Sequence, residues 1–417
     1  MFLEIFNTLF IQTDMDRFLR EPKTGYEWKL LNEEKTDSGK VFKIQLTSQI
    51  WQDKKWKHDL DFYQPKELLH NDKAILLITG DKSAHGEDLK NAYLLGELSK
   101  MNVIILYDVP NQPLFNDLRE DDLVSYTFEK YLETQDISLP LLMPMVKSAV
   151  RAMDAISEFS TEKTDKRISQ FILTGASKRA WTTYIASATD DRIIGMAPMV
   201  FDMLRIPDQI KHQKNMWGRV SPMFTPYEMR GLLEDFESPE IKKLLDCVDP
   251  YTYAYRRRLL MPKLIILGAN DPFWAIDGLN LYWNDLPHPK MILYVPNAGH
   301  GLEDKQRVMS TLSAFCRIVA ARKAFPNFSW TWVTSGTSAI AKLSAQGSTK
   351  TRLWVAESDN LIFVESKWKE NESSQGDLQT PQYKGTKGYR AVFAEAEFQF
   401  EEIKYTLSTT PVILQGR

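Results

Sequence analysis

FILTGASKRAWTTYIASA, residues 171–188, joins an apolar run to a segment with helical character through Gly175-Ala176-Ser177. Phe171-Ile172-Leu173-Thr174 suits a buried strand. A serine two residues past a glycine at a strand end fits the strained strand-to-helix turn that exposes a nucleophilic hydroxyl. That turn ordinarily reads G-x-S-x-G, and here Arg179 holds the last place. The second glycine normally lets the helix pack close behind the turn, a contact that the small Ala180 is able to supply instead. Ser177 also fits a plain helix N-cap, a common role for serine. The rest of the chain decides between the two.

Outward from this stretch, short continuous apolar runs occur at 74–79, 103–107, 169–174, 193–200, 263–267 and 290–295. Such runs suit strands buried on both faces. Between them, 85–100, 121–133, 141–160, 178–189 and 302–324 carry the periodicity of amphipathic helices. Alternation of this kind predicts a parallel α/β sheet, doubly wound with helices on both faces. Residues 40–63 alternate instead and predict an antiparallel pair opening the sheet. The stretch 203–260, rich in Trp, Tyr, Met and Pro, is too long for a plain connection and predicts a helical cap inserted over the sheet's C-terminal edge.

From about Pro326 the pattern changes to short alternating strands: FSWTWVT, AIAKLSA, TRLWVAE, LIFVESKW, YRAVFAEAEF and YTLSTTPVIL. These predict a small C-terminal all-β, sandwich-like domain. The expected division is therefore 1–325, with the cap at about 203–260, and 326–417. KENESSQGDLQTPQYKGTKG (369–388) reads as a long polar loop.

Ligand groups in open α/β sheets collect past the C-terminal ends of strands. Those positions hold Gly80-Asp81, Val109-Pro110-Asn111, Ser177, Asp202, Asn270-Asp271 and Gly299-His300. Ser177, Asp271 and His300 follow the α/β-hydrolase order of nucleophile, acid and base. A serine hydroxyl needs a neighbouring base, here His300, and the imidazole needs an acceptor that fixes its tautomer. Asp271 is the candidate acceptor, with Asp202 as its rival. Oxyanion donors are expected from the backbone N–H of Lys178 and of Asp81 or Lys82. Trp217, Phe273 and Trp274 are candidate pocket walls. Arg179 either binds an anionic substrate or makes a surface ion pair with Asp190 or Asp191, and the run Arg119-Glu120-Asp121-Asp122 reads as a helix opening. The other histidines (His58, His70, His85, His212, His288) show no metal-ligand spacing, so neither metal nor cofactor is expected.

Composition narrows the partners. The 417 residues carry a net charge of −3, which gives no basic field for nucleic acid. Two cysteines, Cys247 and Cys316, form no framework and read as reduced thiols. No apolar run reaches the ~18 residues of a membrane span. The N-terminus MFLEIFNTLFIQTDMDRF has no basic region and no small-residue cleavage pattern, so it is not expected to be a signal peptide.

GASKRAWTTYIAS, VPNQPL (109–114), REDDLVSYTFEKYLETQD (119–136), LMPMVKSAVRAMDAI (142–156), LTSQIW (46–51), DPYTYAYRR (249–257), NDPFWAIDG (270–278) and YVPNAGHGL (294–302) together resemble the PhoPQ-activated pathogenicity-related protein family. The resemblance runs from about residue 20 to the C-terminus. It implies an α/β-hydrolase-like domain with a C-terminal β domain, and G-A-S-K-R as the family's own form of the elbow. It also implies Ser177, Asp271 and His300 as the triad positions, an association with bacterial envelope regulation and virulence, and members often exported to periplasm or medium.

Two functions follow as expectations. One is a serine hydrolase acting on a small-molecule or peptide ester or amide, with carbohydrate esters as a variant resting on the basic pair Lys178-Arg179. The other is a non-catalytic binding or signalling protein on the same scaffold, meeting a protein partner through its C-terminal β domain.

Overall fold

The six apolar runs become six parallel strands in one nine-stranded sheet. A computed structural model describes residues 13–82, 85–164, 166–372, 378–381 and 388–415. The first twelve residues of the N-terminal stretch, and residues 373–377 and 382–387 of the polar stretch, lie outside these described residues. In chain order the sheet contains β1 (Glu27–Lys35), β2 (Gly39–Trp51), β3 (Lys54–Pro65), β4 (Lys73–Ile78), β5 (Asn102–Leu106), β6 (Gln170–Ala176), β7 (Ile193–Met199), β8 (Lys263–Gly268) and β9 (Lys290–Val295). Across the sheet they run β1-β2-β3-β5-β4-β6-β7-β8-β9. β1 to β3 pair antiparallel, β3 meets β5 antiparallel, and every pair from β5 to β9 is parallel.

Successive side chains of these strands point to opposite faces, and both faces are covered. Ile104, Leu173, Ile265 and Ile292 join one core with Val146, Ile156, Trp181 and Ile185. The last four belong to α4 (Leu142–Lys163) and α5 (Lys178–Thr189). Their neighbours Ile105, Ile172, Ile266 and Leu293 join a second core with Leu95, Leu312 and Phe315. Those three come from α2 (His85–Ser99) and α9 (Lys305–Ala320). The remaining helices are α1 (Asp14–Arg20) and α3 (Glu120–Thr134), with α6 (Ile206–Trp217), α7 (Thr225–Glu228) and α8 (Pro239–Val248) in the insertion between β7 and β8. α8 begins where Ser238 accepts a hydrogen bond from the Ile241 N–H and Pro239 sets the first turn. β1 was not foreseen: EWKLLNEEK is an exposed, charged edge strand, and such edges carry little hydrophobic pattern to read.

The C-terminal region holds a three-stranded sheet and a larger one. β10 (Phe328–Ser335), β11 (Ser338–Ala345) and β14 (Leu378–Gln379) form the first. The second is β13 (Lys369–Glu372), β12 (Lys350–Ser358), β15 (Tyr389–Phe400) and β16 (Ile403–Ser408), with β17 (Val412–Gln415) also on β15. Ala339, Ala341, Leu353, Val355, Val392 and Leu414 pack between the sheets as in a sandwich. LIFVESKW, expected as a strand, is irregular backbone. Part of the polar stretch expected as a loop forms β13 and β14 instead.

The larger sheet is welded to the nine-stranded sheet. Trp354 and Phe393 enter the main core, and Phe393 meets Tyr294 of β9 at 5.6 Å between ring centroids. Glu395, whose side chain is fully buried, receives Arg307 of α9 at 2.5 Å and has Arg352 at 3.3 Å on its other side. Removing Arg307 leaves the buried Glu395 with Arg352 as its remaining counter-charge, which puts the cost at about 3 kcal/mol, the lower end for a broken buried pair. Arg307→Ala is therefore expected to lower unfolding free energy by about 3 kcal/mol in urea denaturation; a loss below about 1 kcal/mol would show the weld to be unimportant.

Candidate active site

Ser177 sits where β6 meets α5 with φ +56° and ψ −126°. It occupies the N-cap position, yet its side chain makes no capping hydrogen bond, and an N-cap residue is normally extended with negative φ. A non-glycine residue held there stores strain, and such strain collects at functional sites. The turn is tied down by the Ser177 N–H donating to the Met199 carbonyl at 2.9 Å. A Cβ on Gly175 would lie 2.9 Å from the Arg179 carbonyl oxygen, so this glycine is the one the close approach requires.

Arg179 solves the problem of the missing second glycine by leaving the turn altogether. Its Nε donates to the Val109 carbonyl, and its two terminal nitrogens grip Glu120 at 2.8 Å each. The guanidinium lies so close over Gly80 that a Cβ there would stand 2.5 Å from it. Neither Asp190 nor Asp191 is its partner; those acids pair with Arg192 and Arg258. Lys178 is committed in the same way, 2.7 Å from Glu120 and 3.2 Å from Asp121. Burial opposes ionisation of Glu120, but the Arg179 and Lys178 charges win and hold its carboxyl well below the usual range. Arg179 is thus no free anion site, and the basic pair lends no support to a carbohydrate ester.

Asp271 follows β8 and His300 follows β9. Asp271 is buried, accepts the Phe273 N–H at 2.9 Å, and meets His300 Nδ1 with its other oxygen at 2.8 Å. An acceptor at Nδ1 makes that nitrogen the donor and leaves Nε2 as the basic one. Phe273 lies against the His300 ring, 4.3 Å between centroids and tilted by 31°, and also lines a cavity shared with Ser177. The cavity encloses about 760 Å³ including its open mouth, and Trp274 is another wall. Trp217 is not; its indole donates to the Leu361 carbonyl in the C-terminal region.

Asp202 makes no hydrogen bond to His300 among the described residues. It accepts a hydrogen bond from the Tyr282 hydroxyl at 2.7 Å, and burial pushes its carboxyl up to about 7. The other His–Asp pair, His212 with Asp277 at 2.8 Å, lies beside Gly278 and Asp202. A serine–histidine hydrogen bond does occur elsewhere, between Ser48 and His58 at 3.0 Å, buried in β2 and β3. His58 also meets the Tyr107 carbonyl, and burial pushes it down to about 4, so this pair satisfies the core. Among the expected oxyanion donors, Lys178 N–H opens α5, where the first N–H groups have no acceptor within the helix. Lys82 N–H is taken by Asp108 at 3.2 Å, which leaves Asp81 as the donor candidate after β4.

Two asparagines close in sequence to Asp271 and His300 reach into the C-terminal region. Asn270 Nδ2 donates to the carbonyls of Phe363, Val364 and Ser366 at 3.1, 2.9 and 2.7 Å. Asn297 exchanges two hydrogen bonds with the backbone of Trp368. From sequence Asn270 was named only as a strand-end position and Asn297 was given no role, and the Glu120 clasp was read only as a helix opening. Two acids set against the adjacent bases Lys178-Arg179 were the one available signal.

Among the described residues no helix is long and apolar enough to cross a membrane. A family model described as PhoPQ-activated pathogenicity-related protein matches residues 15–362. Autocrine proliferation repressor protein A of Dictyostelium discoideum is 31% identical over 335 residues, 76% of this chain and 67% of that protein. The acetyl xylan esterase from Paenibacillus sp. R4 superposes with TM-score 0.49 and 14% identity over 71% of this chain and 91% of its own. Acetyl xylan esterase 1 from Thermoanaerobacterium sp. JW/SL YS485 gives 0.49 and 15% over 72% and 92%.

Burial raises the Asp202 carboxyl above its unfolded value of 3.8, so it contributes stability that is present at low pH and lost as pH rises through about 7. Asp202→Asn removes that titration. Between about pH 5 and about pH 8 the wild type is expected to lose roughly 2–3 kcal/mol relative to the variant, measured by urea unfolding. Parallel pH profiles of the two proteins would contradict the protonated state of Asp202.

Proposed function

The chain belongs to the PhoPQ-activated pathogenicity-related protein family, and on that premise we propose that it is a serine hydrolase cleaving an ester or amide through an acyl-enzyme. The observation that carries the reading is the strained, uncapped Ser177 facing the same cavity as Phe273, against whose ring the Asp271-paired His300 lies. In this reading His300 Nε2 takes the Ser177 proton as Oγ attacks the substrate carbonyl carbon. The Lys178 and Asp81 N–H groups receive the oxyanion, and His300 returns the proton to the leaving group as the acyl bond breaks. Water, activated by the same imidazole, then cleaves the acyl-enzyme. Asp271 holds the tautomer and stabilises the imidazolium. A carboxyl kept protonated near neutrality, as at Asp202, is a poor choice for that task.

We assign the hydrolase unit to 1–325, with its cap at about 203–260, and the β unit to 326–417. A second reading, a signalling protein without catalysis, draws on the name of the Dictyostelium relative and on the Ser177 hydroxyl, which has no hydrogen-bond partner among the described residues. Catalytic hydrogen bonds are often formed only when substrate binds, so that geometry is compatible with either reading.

Kinetics separate them. With p-nitrophenyl butyrate, Ser177→Ala is expected to abolish turnover. Asp271→Asn should lower kcat by about 10⁴, and Asp202→Asn should retain most of it. Turnover that survives Ser177→Ala, or a larger loss from Asp202→Asn than from Asp271→Asn, would overturn the assignment.

A further inference from the structure

The cavity at Ser177 is built to take an uncharged group. Its walls are apolar side chains from both sides: Trp181 and Phe201 from the sheet and its helix, Phe224, Ile241 and Leu244 from the insertion, and Trp274 after β8. The charges at its edge neutralise one another. Lys178 is held by Glu120 and Asp121, and the Tyr227 hydroxyl donates to Asp121 at 3.0 Å. The Trp181 indole is likewise spent on the Val248 carbonyl. The buried Trp274 indole N–H, without a partner among the described residues, is a neutral donor. A charged substrate side chain would lose its hydration here and find no counter-ion, which is costly. An acetyl group would leave most of the apolar wall uncovered.

We infer that the cavity binds the acyl part of the substrate as an uncharged aliphatic chain longer than acetyl. This rests on the reading of Ser177 as the nucleophile. The ester carbonyl lies at the elbow, the chain runs beneath the cap, and the leaving alcohol faces solvent. Selectivity then comes from apolar burial, which rewards each added methylene until the walls are filled.

The test is a series of p-nitrophenyl esters from acetate to decanoate. The ratio kcat/KM is expected to rise about four-fold per methylene before levelling. Leu244→Trp, which fills the cavity from α8, is expected to lower the octanoate-to-acetate ratio at least about ten-fold. Calorimetric binding of octan-1-ol to Ser177→Ala reads the cavity without the nucleophile, and binding tighter than that of butan-1-ol is expected. Cleavage with acetate preferred, or with no dependence on chain length, overturns the inference and leaves the hydrolase reading standing. Octan-1-ol binding with no ester cleaved by the wild type does the reverse. Octan-1-ol that binds no better than butan-1-ol overturns the cavity assignment outright.

Discussion

A left-handed serine backbone between β6 and α5 is the constraint on which the site depends. Holding Ser177 at φ +56° costs on the order of 1–3 kcal/mol, and it persists only where neighbours over-determine it. Here the Met199 carbonyl fixes the N–H, Gly175 admits the helix, and the Arg179–Glu120 clasp anchors the helix's first turn to α3 across Gly80. The arginine that looks like a defect in the motif is a tether. It replaces close packing behind the turn with a half-buried ion pair, and a guanidinium is suited to that task by its planar, bidentate geometry.

The same economy joins the two halves of the molecule. Asn270 adjoins Asp271 and Asn297 lies three residues before His300, and both satisfy backbone groups of the irregular segment 361–368. With Arg307–Glu395 and the Phe393–Tyr294 contact, the C-terminal sheets brace the loops that carry Asp271 and His300. The face of the β region that meets the first sheet is therefore spent on packing.

Much of the architecture was legible because it rests on local pattern. Six apolar runs announced six parallel strands, and the helices between them differ from expectation by a few residues at their ends. The positions past β6, β8 and β9 were legible for the same reason, since strand ends show in sequence. What could not be read were partnerships across long separations. Arg179 finds Glu120 59 residues away, so its adjacent acids Asp190 and Asp191 were false leads. LIFVESKW alternates like a strand, yet its carbonyls go to an asparagine side chain instead of a ladder. Trp217 had the composition of a pocket wall and lies against the C-terminal region. The cavity itself was hidden because an apolar residue lining a cleft is indistinguishable in sequence from one filling a core.

The central claim is that Ser177 is an activated nucleophile. Labelling with a fluorophosphonate probe, read by intact mass on the wild type and on Ser177→Ala, tests it most directly. The account predicts one adduct per chain in the wild type and none in the variant. A folded wild type that stays unlabelled, or a variant that labels equally well, would contradict it.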